Sequence, residues 1–561
     1  MSLRPQRAIA QPLEVVAGQL PGAQVTGQAT VLGLSLNSQQ VCPGDLFVAL
    51  PGHSGHGAQY APQALARGAV AVLCDQAGAD LIAPSVPLVV GQDIRAHLGE
   101  LAAWFYGYPA KRLTTVGLTG TNGKTTVCQM VAAALARAYG PDQVALLGTA
   151  GARVAGRELA QARTTPEAPE LQATLAAALE LGVTHLVMEV SSHALSQHRV
   201  DGLVFDVVGF TNLSRDHLDY HTTMEDYFQA KAALFTRARA RAAVIDTTDA
   251  WGQRLANQCQ LPVQTLASCA QPDLDRTARA TTWCYQILRH QPTGSEFLLD
   301  GVVGGGSVLD GPVGGGSGLD GVVGGGSELD GPVGGGSVLD GPVGGGAPVA
   351  SPPQLTVSLP MLGNFNVANA ALALVVAMTA GVPPDQAALA LTQMAPVPGR
   401  MEVVPGPAGG PTVVVDYAHA PDALAQALAA LRPHVSGQLW VVFGAGGDRD
   451  HGKRHLMGAA AAGGADRVIV TDDNPRSEEP ATIRAEVLAG TGATAGPLAS
   501  VQVIPDRAEA IDQAIAQGQG GDLIALMGKG HEVTIDYAGH LVDHDDRVVA
   551  AAALARHWEV A

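Results

Sequence analysis

The segment from Thr114 to about Ala138 constrains the fold more than any other part of the chain. Thr114–Thr119 reads as a strand, Gly120-Thr121-Asn122-Gly123 as a tight loop and Lys124 onward as a helix. A Gly-rich loop between strand and helix is the arrangement a nucleotide phosphate requires. Backbone N–H groups and the helix N-terminus cradle its oxygens, Lys124 reaches the terminal phosphates, and a Thr hydroxyl meets Mg²⁺. The strict G-x-x-x-x-G-K-S/T pattern needs Gly at position 118, where Leu stands; the glycines fall at 117, 120 and 123. The flanking strand and helix still favour ATP or GTP over a bare turn with an exposed lysine.

Around this segment the 561 residues show three textures, in keeping with about 150 residues per domain. Residues 1–108 mix short apolar runs (45–50, 69–74 and 86–90) with turns and one helical pattern before Pro109. From 109 to 395, strand-like runs alternate with Ala- and Leu-rich helices, as in a parallel sheet covered by helices. From 396 to 561 the alternation restarts, with strands expected at 412–416, 439–443, 467–471 and 522–527. The fold class is therefore α/β in three domains: a small α/β domain, a central P-loop domain with a parallel sheet, and a C-terminal Rossmann-like domain. Between 299 and 347 a decapeptide close to Leu-Asp-Gly-Val/Pro-Val-Gly-Gly-Gly-Ser-x recurs five times. So few large side chains cannot offset the entropy of ordering, and a disordered loop is expected. Strand-like runs at 295–299 and 355–359 flank it, which makes it an expanded hairpin connection.

Composition removes several function classes. With 33 basic and 51 acidic residues the net charge is −18, so no nucleic-acid partner is expected. The longest apolar stretch, 370–382, is 13 residues, too short to span a bilayer, and no charged-then-apolar N-terminus suggests export. The six cysteines, at 42, 74, 128, 259, 269 and 284, have no Cys-x-x-Cys spacing and predict a reduced, cytoplasmic protein without disulfides.

Lysine is more informative than total charge. Only Lys111, Lys124, Lys231, Lys453 and Lys529 occur among the 33 basic residues. Arg carries the ordinary surface charge, so lysine marks places that need a compact ammonium or a nucleophilic amine. Glu189 stands near the end of the apolar run 186–190; ligands of open parallel sheets collect beyond such strand ends, which makes it a candidate Mg²⁺ ligand. The next strand, 206–211, runs into a segment ending at His221 that is dense in ionisable groups. Lys231 lies on a mostly apolar face of a helix read at 224–235, where its residues alone favour a snorkelling lysine or a helix-end ion pair.

Four of these segments are Gly117-Leu-Thr-Gly-Thr-Asn-Gly-Lys-Thr-Thr126, Met188-Glu-Val-Ser-Ser-His193, Gln197-His-Arg199 and Thr211-Asn-Leu-Ser-Arg-Asp-His-Leu-Asp-Tyr-His221. Together they closely resemble the Mur ligase family, and the resemblance extends over nearly the whole chain except the repeats. It implies that Lys231 is carbamylated, which converts an ammonium into an anionic oxygen donor. Thr125, Glu189, His217 and carbamylated Lys231 would then hold two Mg²⁺, with Lys124, Glu189, His217 and Lys231 as the catalytic set. For ATP it implies Gly120, Thr121, Asn122, Gly123, Lys124, Thr125 and Thr126. Asn366 and Asn369, in Gly363-Asn-Phe-Asn-Val-Ala-Asn369, match the adenine segment. Arg400, in Gly399-Arg-Met-Glu402, matches an arginine that reaches the phosphates, and Asp416, in Asp416-Tyr-Ala-His-Ala-Pro421, would lie near the ribose.

The first domain resembles the family's uridine-nucleotide module, through Leu36-Asn37-Ser38-Gln39, Pro43-Gly-Asp-Leu-Phe-Val48 and Gly52-His53-Ser54-Gly55-His56-Gly57. Leu36, Ser38, His53, Ser54 and Gly55 are the implied contacts, while Asn37 and Gln39 depart from the Asp and Arg common in the family. Thr164, Thr165, Ser191, Gln197 and Arg199 match positions that hold the muramoyl-dipeptide; hydroxyls and one Arg suit pyrophosphate and carboxylates. Asp473-Asn474-Pro475-Arg476 is the form that goes with meso-diaminopimelate, with Arg449, Gly528 and Glu532 completing the pocket. The physical reason is that Arg476 can grip a distal carboxylate bidentately, whereas L-lysine would set an ammonium against it.

The resemblance thus implies ATP-dependent ligation of meso-diaminopimelate to UDP-MurNAc-L-Ala-D-Glu in peptidoglycan biosynthesis. The D-Glu carboxylate attacks the γ-phosphate, and the amine then attacks the resulting acyl phosphate. A monomeric cytoplasmic enzyme with small-molecule substrates, no membrane insertion and domain closure is expected. The alternatives are the same reaction with L-lysine, which Arg476 opposes, and an ATP-dependent switch, which does not require Lys231 with Glu189 and His217. A scaffold built on the repeats is a third, and it requires the repeats for function.

Overall fold

The computed structural model describes residues 3–7, 9–52, 55–159, 163–216, 220–270, 281–291, 294–302, 353–448, 450–492 and 499–558. The strand Thr114–Thr119 is buried on both faces, which places a continuous apolar run at the centre of a helix-covered sheet. That sheet has eleven strands, in the order Arg157–Leu159, Gly151–Val154, Val144–Gly148, His185–Glu189, Thr114–Thr119, Phe205–Phe210, Ala240–Asp246, Val263–Ser268, Thr281–Gln291, Gly294–Val302 and Leu355–Leu359. The strands from Val144–Gly148 through Thr281–Gln291 pair in parallel, and the two at each edge are antiparallel. From the phosphate-loop strand the chain goes to one side, returns at His185–Glu189, and crosses to Phe205–Phe210 on the other. The strand order reverses there, so a crevice opens at the carboxyl ends of these three strands.

Both faces carry a core. Lys124–Tyr139, Asn364–Thr379 and Pro384–Gln393 cover one side, and Ala168–Glu180, Met224–Ala232 and Ala250–Gln258 the other. The apolar stretch 370–382 is largely the buried helix Asn364–Thr379, a core element. Among the described residues no helix is long and apolar enough to cross a membrane.

The strand Gly294–Val302 pairs with Leu355–Leu359 from Ser295 opposite Leu359 to Leu299 opposite Leu355. The first four repeat residues, 299–302, therefore belong to a strand, and repeat residues 303–347 lie outside the described residues. Because Gly294–Val302 runs antiparallel to Thr281–Gln291, the connection leaves the sheet at the amino ends of the parallel strands, opposite the crevice.

The N-terminal sheet is ordered Gln24–Thr26, Leu88–Val90, Ala71–Cys74, Asp45–Ala49 and Gly33–Ser35, parallel except at its first strand. Its core includes Ala168 and Ala173 of the central helix Ala168–Glu180 beside Leu98 and Leu101. The C-terminal sheet is ordered Glu402–Val404, Thr412–Asp416, Leu523–Met527, Leu439–Phe443, Arg467–Val470 and Ser500–Val503, again parallel except at its first strand, with cores on both faces.

One expectation is corrected. Cys269 and Cys284 form a disulfide, 15 residues apart, with Cα atoms 5.0 Å from each other. The sheet brings them together: Val263–Ser268 and Thr281–Gln291 are neighbours, Ala267 sits opposite Cys284, and Cys269 N–H donates to Tyr285 O. Cys42, Cys74, Cys128 and Cys259 are free thiols.

Candidate active site

The phosphate loop is held from two sides. Gly123 adopts φ 84°, a left-handed conformation that opens the helix Lys124–Tyr139, and a Cβ there would overlap Asn369 Oδ1. Asn369 from Asn364–Thr379 thus packs directly on the loop; its Nδ2 donates to Asn366 Oδ1 (3.3 Å), and Asn366 Nδ2 donates to Leu362 O (2.8 Å). On the other side, residues just after Phe205–Phe210 brace the loop. Thr211 Oγ1 donates to Asn122 O (2.6 Å), Asn122 N–H to Asn212 Oδ1 (3.0 Å), and Thr121 Oγ1 to Ser214 O and Tyr227 Oη (both 3.3 Å). His217, expected as a metal ligand, lies outside the described residues.

Two lysines converge on one carbonyl. Lys124 Nζ donates to Gly120 O (2.9 Å) and Thr121 O (2.8 Å), and Lys231 Nζ donates to Gly120 O (2.8 Å). Lys231 is buried, with its ammonium 4.4 Å from the centre of the Tyr227 ring. Burial lowers the pKa of Lys124, and burial with the Lys124 charge holds that of Lys231 well below the ordinary lysine value. The snorkelling alternative does not describe this side chain.

Glu189 faces the phosphate loop from the end of His185–Glu189. Thr125 Oγ1 donates to its Oε1 (2.9 Å), as does Thr149 N–H (2.7 Å), and Thr149 Oγ1 donates to Oε2 (3.1 Å). A hydroxyl and a buried carboxylate side by side are hard oxygen donors of the kind Mg²⁺ takes. Among the described residues there is no group of three or more His, Cys, Asp or Glu side chains able to hold a metal.

The third unit reaches this point through Arg400. Its Nη2 donates to Thr125 Oγ1 (3.3 Å), and its guanidinium lies 4.5 Å from the Tyr417 ring centre. Asp416 accepts from Met401 N–H (2.8 Å) and Ala418 N–H (2.9 Å), so its carboxylate shapes the turn that carries Arg400. Burial raises its pKa, with Arg400 opposing.

The residues expected for the muramoyl-dipeptide form a strip leading away from Glu189. Thr165 Oγ1 donates to Glu189 O (2.9 Å), Thr164 and Thr149 hydroxyls lie 2.9 Å apart, and Ser191 Oγ caps the helix Ser192–Ser196. Arg199 donates to Thr165 O (3.1 Å) and Gln197 Oε1 (2.6 Å). It also ion-pairs with Glu167 (3.1 Å), which receives Arg95 (2.7 Å) as well. The strip meets a 630 Å³ cleft lined by Leu36, Ser38 and Gly55 on one side and Arg95, Arg163 and Glu167 on the other. Asn37 Oδ1 accepts Gln39 N–H (2.9 Å), so the residue that departs from the family pattern shapes the turn around Ser38. His53 and Ser54 lie outside the described residues.

The expected amino-acid pocket is built on strand ends of the C-terminal sheet. Arg476 has φ 52° and donates to Gly447 O (2.6 Å), with its backbone paired to Asp536 O and Ala538 N–H. Asp473 Oδ2 lies 2.7 Å from where a Cβ on Gly528 would stand. Pro475 precedes Arg476 in this loop, and Arg449 lies outside the described residues.

Sequence reasoning did not assign Lys529 to this pocket, although its rarity as a lysine was a usable signal. It is completely buried and donates to Asn474 Oδ1 (3.1 Å), Glu532 Oε2 (2.7 Å) and Thr534 O. Asn474 Nδ2 also donates to Glu532 Oε2 (2.8 Å). Burial pushes the Glu532 carboxyl up, and Lys529 with Asn474 more than reverses this, so its pKa lies below the ordinary value. Glu532, expected as an acceptor for a substrate ammonium, already holds an internal one. Arg507, also missed, donates to Met527 O (3.0 Å), Asp472 O (3.4 Å) and the buried Asp546, tying together the strand ends before both pocket loops.

Comparison with known proteins gives three family matches along the chain: "Mur ligase family, catalytic domain" at residues 30–106, "Mur ligase middle domain" at 118–296, and "Mur ligase, glutamate ligase domain" at 399–530. A UDP-N-acetylmuramoyl-L-alanyl-D-glutamate–2,6-diaminopimelate ligase of Streptomyces coelicolor is 40% identical over 556 residues, covering 99% of this chain and 98% of the relative. A UDP-N-acetylmuramyl-tripeptide synthetase of Leifsonia xyli is 40% identical with the same coverage. A solved structure of a UDP-N-acetylmuramoyl-L-alanyl-D-glutamate–2,6-diaminopimelate ligase is 32% identical and matches with a TM-score of 0.58 over 94% of this chain and 96% of its own.

Proposed function

The chain belongs to the Mur ligase family, and on that premise we propose that it joins meso-diaminopimelate to UDP-MurNAc-L-Ala-D-Glu in an ATP-dependent ligation. The observation that carries the reading is the convergence on Glu189. The phosphate loop arrives through Thr125, the substrate strip through Thr149 and Thr165, and the third unit through the Arg400 contact to Thr125.

In this reading residues 1–108 bind the uridine nucleotide, 109–395 bind ATP and 396–561 bind the amino acid. Lys124 leaves the Gly120 and Thr121 carbonyls to take terminal phosphate oxygens, and Arg400 neutralises charge on the same phosphates from the third unit. Arg199 and the Thr164–Thr165 hydroxyls orient the D-Glu carboxylate for attack on the γ-phosphorus. The carboxylate oxygen forms the new P–O bond, ADP leaves, and the amine of diaminopimelate then displaces phosphate from the acyl carbon. Arg476 grips the distal carboxylate of diaminopimelate.

Thr125, Glu189, His217 and Lys231 would hold Mg²⁺, which when bound supplies charge neutralisation for the phosphate oxygens. Carbamylation fits the burial of Lys231: a neutral amine adds to CO₂, forming a C–N bond and releasing one proton, and burial favours that neutral amine.

The test is phosphate release from ATP and UDP-MurNAc-L-Ala-D-Glu with either meso-diaminopimelate or L-lysine. Release with diaminopimelate alone is expected. Release with lysine alone would refute the role given to Arg476, and release with neither from an ATP-binding sample would refute the ligase.

A further inference from the structure

The amino-acid pocket rests on a buried charge that has no part in the steps above. Its two loops, 444–448 after Leu439–Phe443 and 471–479 after Arg467–Val470, are in backbone contact. Gly447 N–H donates to Asn474 O (2.9 Å), and a Cβ on Gly447 would overlap Pro475 O. The helices Gly452–Gly464 and Pro480–Thr491 meet just as closely. A Cβ on Gly458 would overlap Val487 O, and one on Gly490 would overlap His455 O.

Arg454, in the first turn of Gly452–Gly464, is completely buried among these elements. Its Nη2 donates to Gly446 O (3.3 Å) and Glu478 Oε1 (2.8 Å). Its Nη1 donates to Glu486 Oε2 (2.7 Å) and lies 3.0 Å from His451 Nδ1. Glu478 Oε1 also accepts Asp448 N–H (2.5 Å), and the Asp448 carboxylate accepts Ser477 N–H (3.1 Å) and the Ser477 hydroxyl (2.6 Å). These bonds hold Asp448 at φ 51°, a left-handed backbone uncommon outside glycine.

The consequence falls on Arg476, whose Nη1 donates to Gly447 O. Gly447 stands between the two residues that Arg454 holds, Gly446 directly and Asp448 through Glu478. Buried ion pairs contribute little net stability, because desolvation opposes the attraction. What a planar guanidinium adds is direction: its fork fixes Gly446 O, Glu478 and Glu486 at once, which a lysine ammonium does not.

Resting on the ligase reading above, we propose that Arg454 is a positioning residue for the choice of amino acid. It fixes the Gly447 carbonyl and so holds the Arg476 guanidinium where it takes the distal carboxylate of diaminopimelate. Arg454 itself touches no substrate, so its burial is no obstacle to the role. Without this clamp the 444–448 loop drifts relative to 474–476 and the grip of Arg476 loosens, while the ATP site, built on other elements, is unaffected.

Steady-state phosphate release, varying each of the three substrates in turn, tests this in Arg454→Met, with urea unfolding as the check on folding. KM for diaminopimelate should rise about tenfold, the size of one lost hydrogen bond to a charged group. KM for ATP and for UDP-MurNAc-L-Ala-D-Glu should stay within about twofold, and kcat within about threefold. Arg454→Lys, which keeps the charge without the fork, should fall between wild type and Arg454→Met. Glu478→Gln keeps an acceptor for Asp448 N–H but weakens the Arg454 bond, and should raise KM for diaminopimelate about threefold. It decides the matter if Arg454→Met does not fold, and a wild-type KM there would then overturn the proposal. In folded Arg454→Met, KM for diaminopimelate within about twofold of wild type would overturn it, and so would a fall in kcat with all three KM values unchanged, the mark of a structural role alone. Wild-type protein that releases no phosphate with diaminopimelate would refute the ligase reading itself, and this proposal with it.

Discussion

Replacing Lys529 with Met removes a buried ammonium while keeping a side chain of similar length and volume, so no void opens. The ammonium is completely buried and binds Asn474 Oδ1, Glu532 Oε2 and Thr534 O. After substitution Glu532 keeps the donor Asn474 Nδ2, and Asn474 Oδ1 keeps Asp536 N–H. Breaking a buried ion pair costs about 3–5 kcal/mol, and a hydrogen bond to a charged group contributes about 1.5–3 kcal/mol. The Glu532 side chain is 32% exposed, so water screens the carboxylate left behind and the lower range applies, about 2–3 kcal/mol. At about 1.4 kcal/mol per tenfold, loss of that order in the pocket raises KM for diaminopimelate about 30- to 140-fold. KM for ATP should stay within about twofold, because Lys529 touches no element of the phosphate loop. Steady-state phosphate release, varying each substrate in turn, measures the split. The double variant Lys529→Met/Glu532→Gln removes both charges and should recover at least about 1 kcal/mol of the loss. A wild-type KM for diaminopimelate in Lys529→Met would refute the argument that this ammonium organises the pocket.

Lys231→Ala should nearly abolish turnover, and a small carboxylic acid should restore part of it by standing in for the carbamate; wild-type-like activity in a steady-state assay would remove the metal role. Deleting residues 303–347 while keeping the strand through Val302 should leave kcat within about twofold, since the connection leaves the sheet opposite the crevice. Asp546→Asn strands the buried Arg507 and should destabilise the third unit by about 3–5 kcal/mol, read as earlier urea-induced proteolysis of that unit. Burial raises the Asp546 pKa, but Arg507 and His544 pull it below the ordinary value of about 3.9. A depressed acid stabilises the fold above its unfolded pKa and loses that effect as pH falls through the folded one. Wild-type stability should therefore decline from about pH 4 downward, and Asp546→Asn should flatten that limb.

Much of this architecture is legible in the residues. Thr114–Thr119 and Pro421–Leu431 fall where apolar patterning and turn residues place them, because a buried central strand or a one-sided helix leaves a periodic trace. The strand expected at 467–471 ends at Val470, a boundary that local pattern sets only to within a residue or two. Gly151–Val154 and Arg157–Leu159, at the sheet edge, leave a weaker trace because edge strands are short and half polar. The Cys269–Cys284 pair is invisible to spacing rules because the sheet, not the sequence interval, sets its separation. Thr149 carries no signal at all: a lone Thr after a strand becomes a Glu189 partner only when the neighbouring strand is placed. Lys529 and Lys231 differ instructively. Both are rare lysines, but only burial shows that one ammonium is compensated by Glu532 while the other faces a second cation.

The polarity of the central sheet also bears on where the chain can be altered. The decapeptide array joins two strands of that sheet. Its two anchoring strands, Gly294–Val302 and Leu355–Leu359, are paired from Ser295 opposite Leu359 to Leu299 opposite Leu355. They open at the amino ends of the parallel strands, so the two points where the array joins the sheet lie on the side away from Glu189 and the phosphate loop. That opening is therefore the natural place to insert a reporter domain, with turnover expected to stay near the unaltered value.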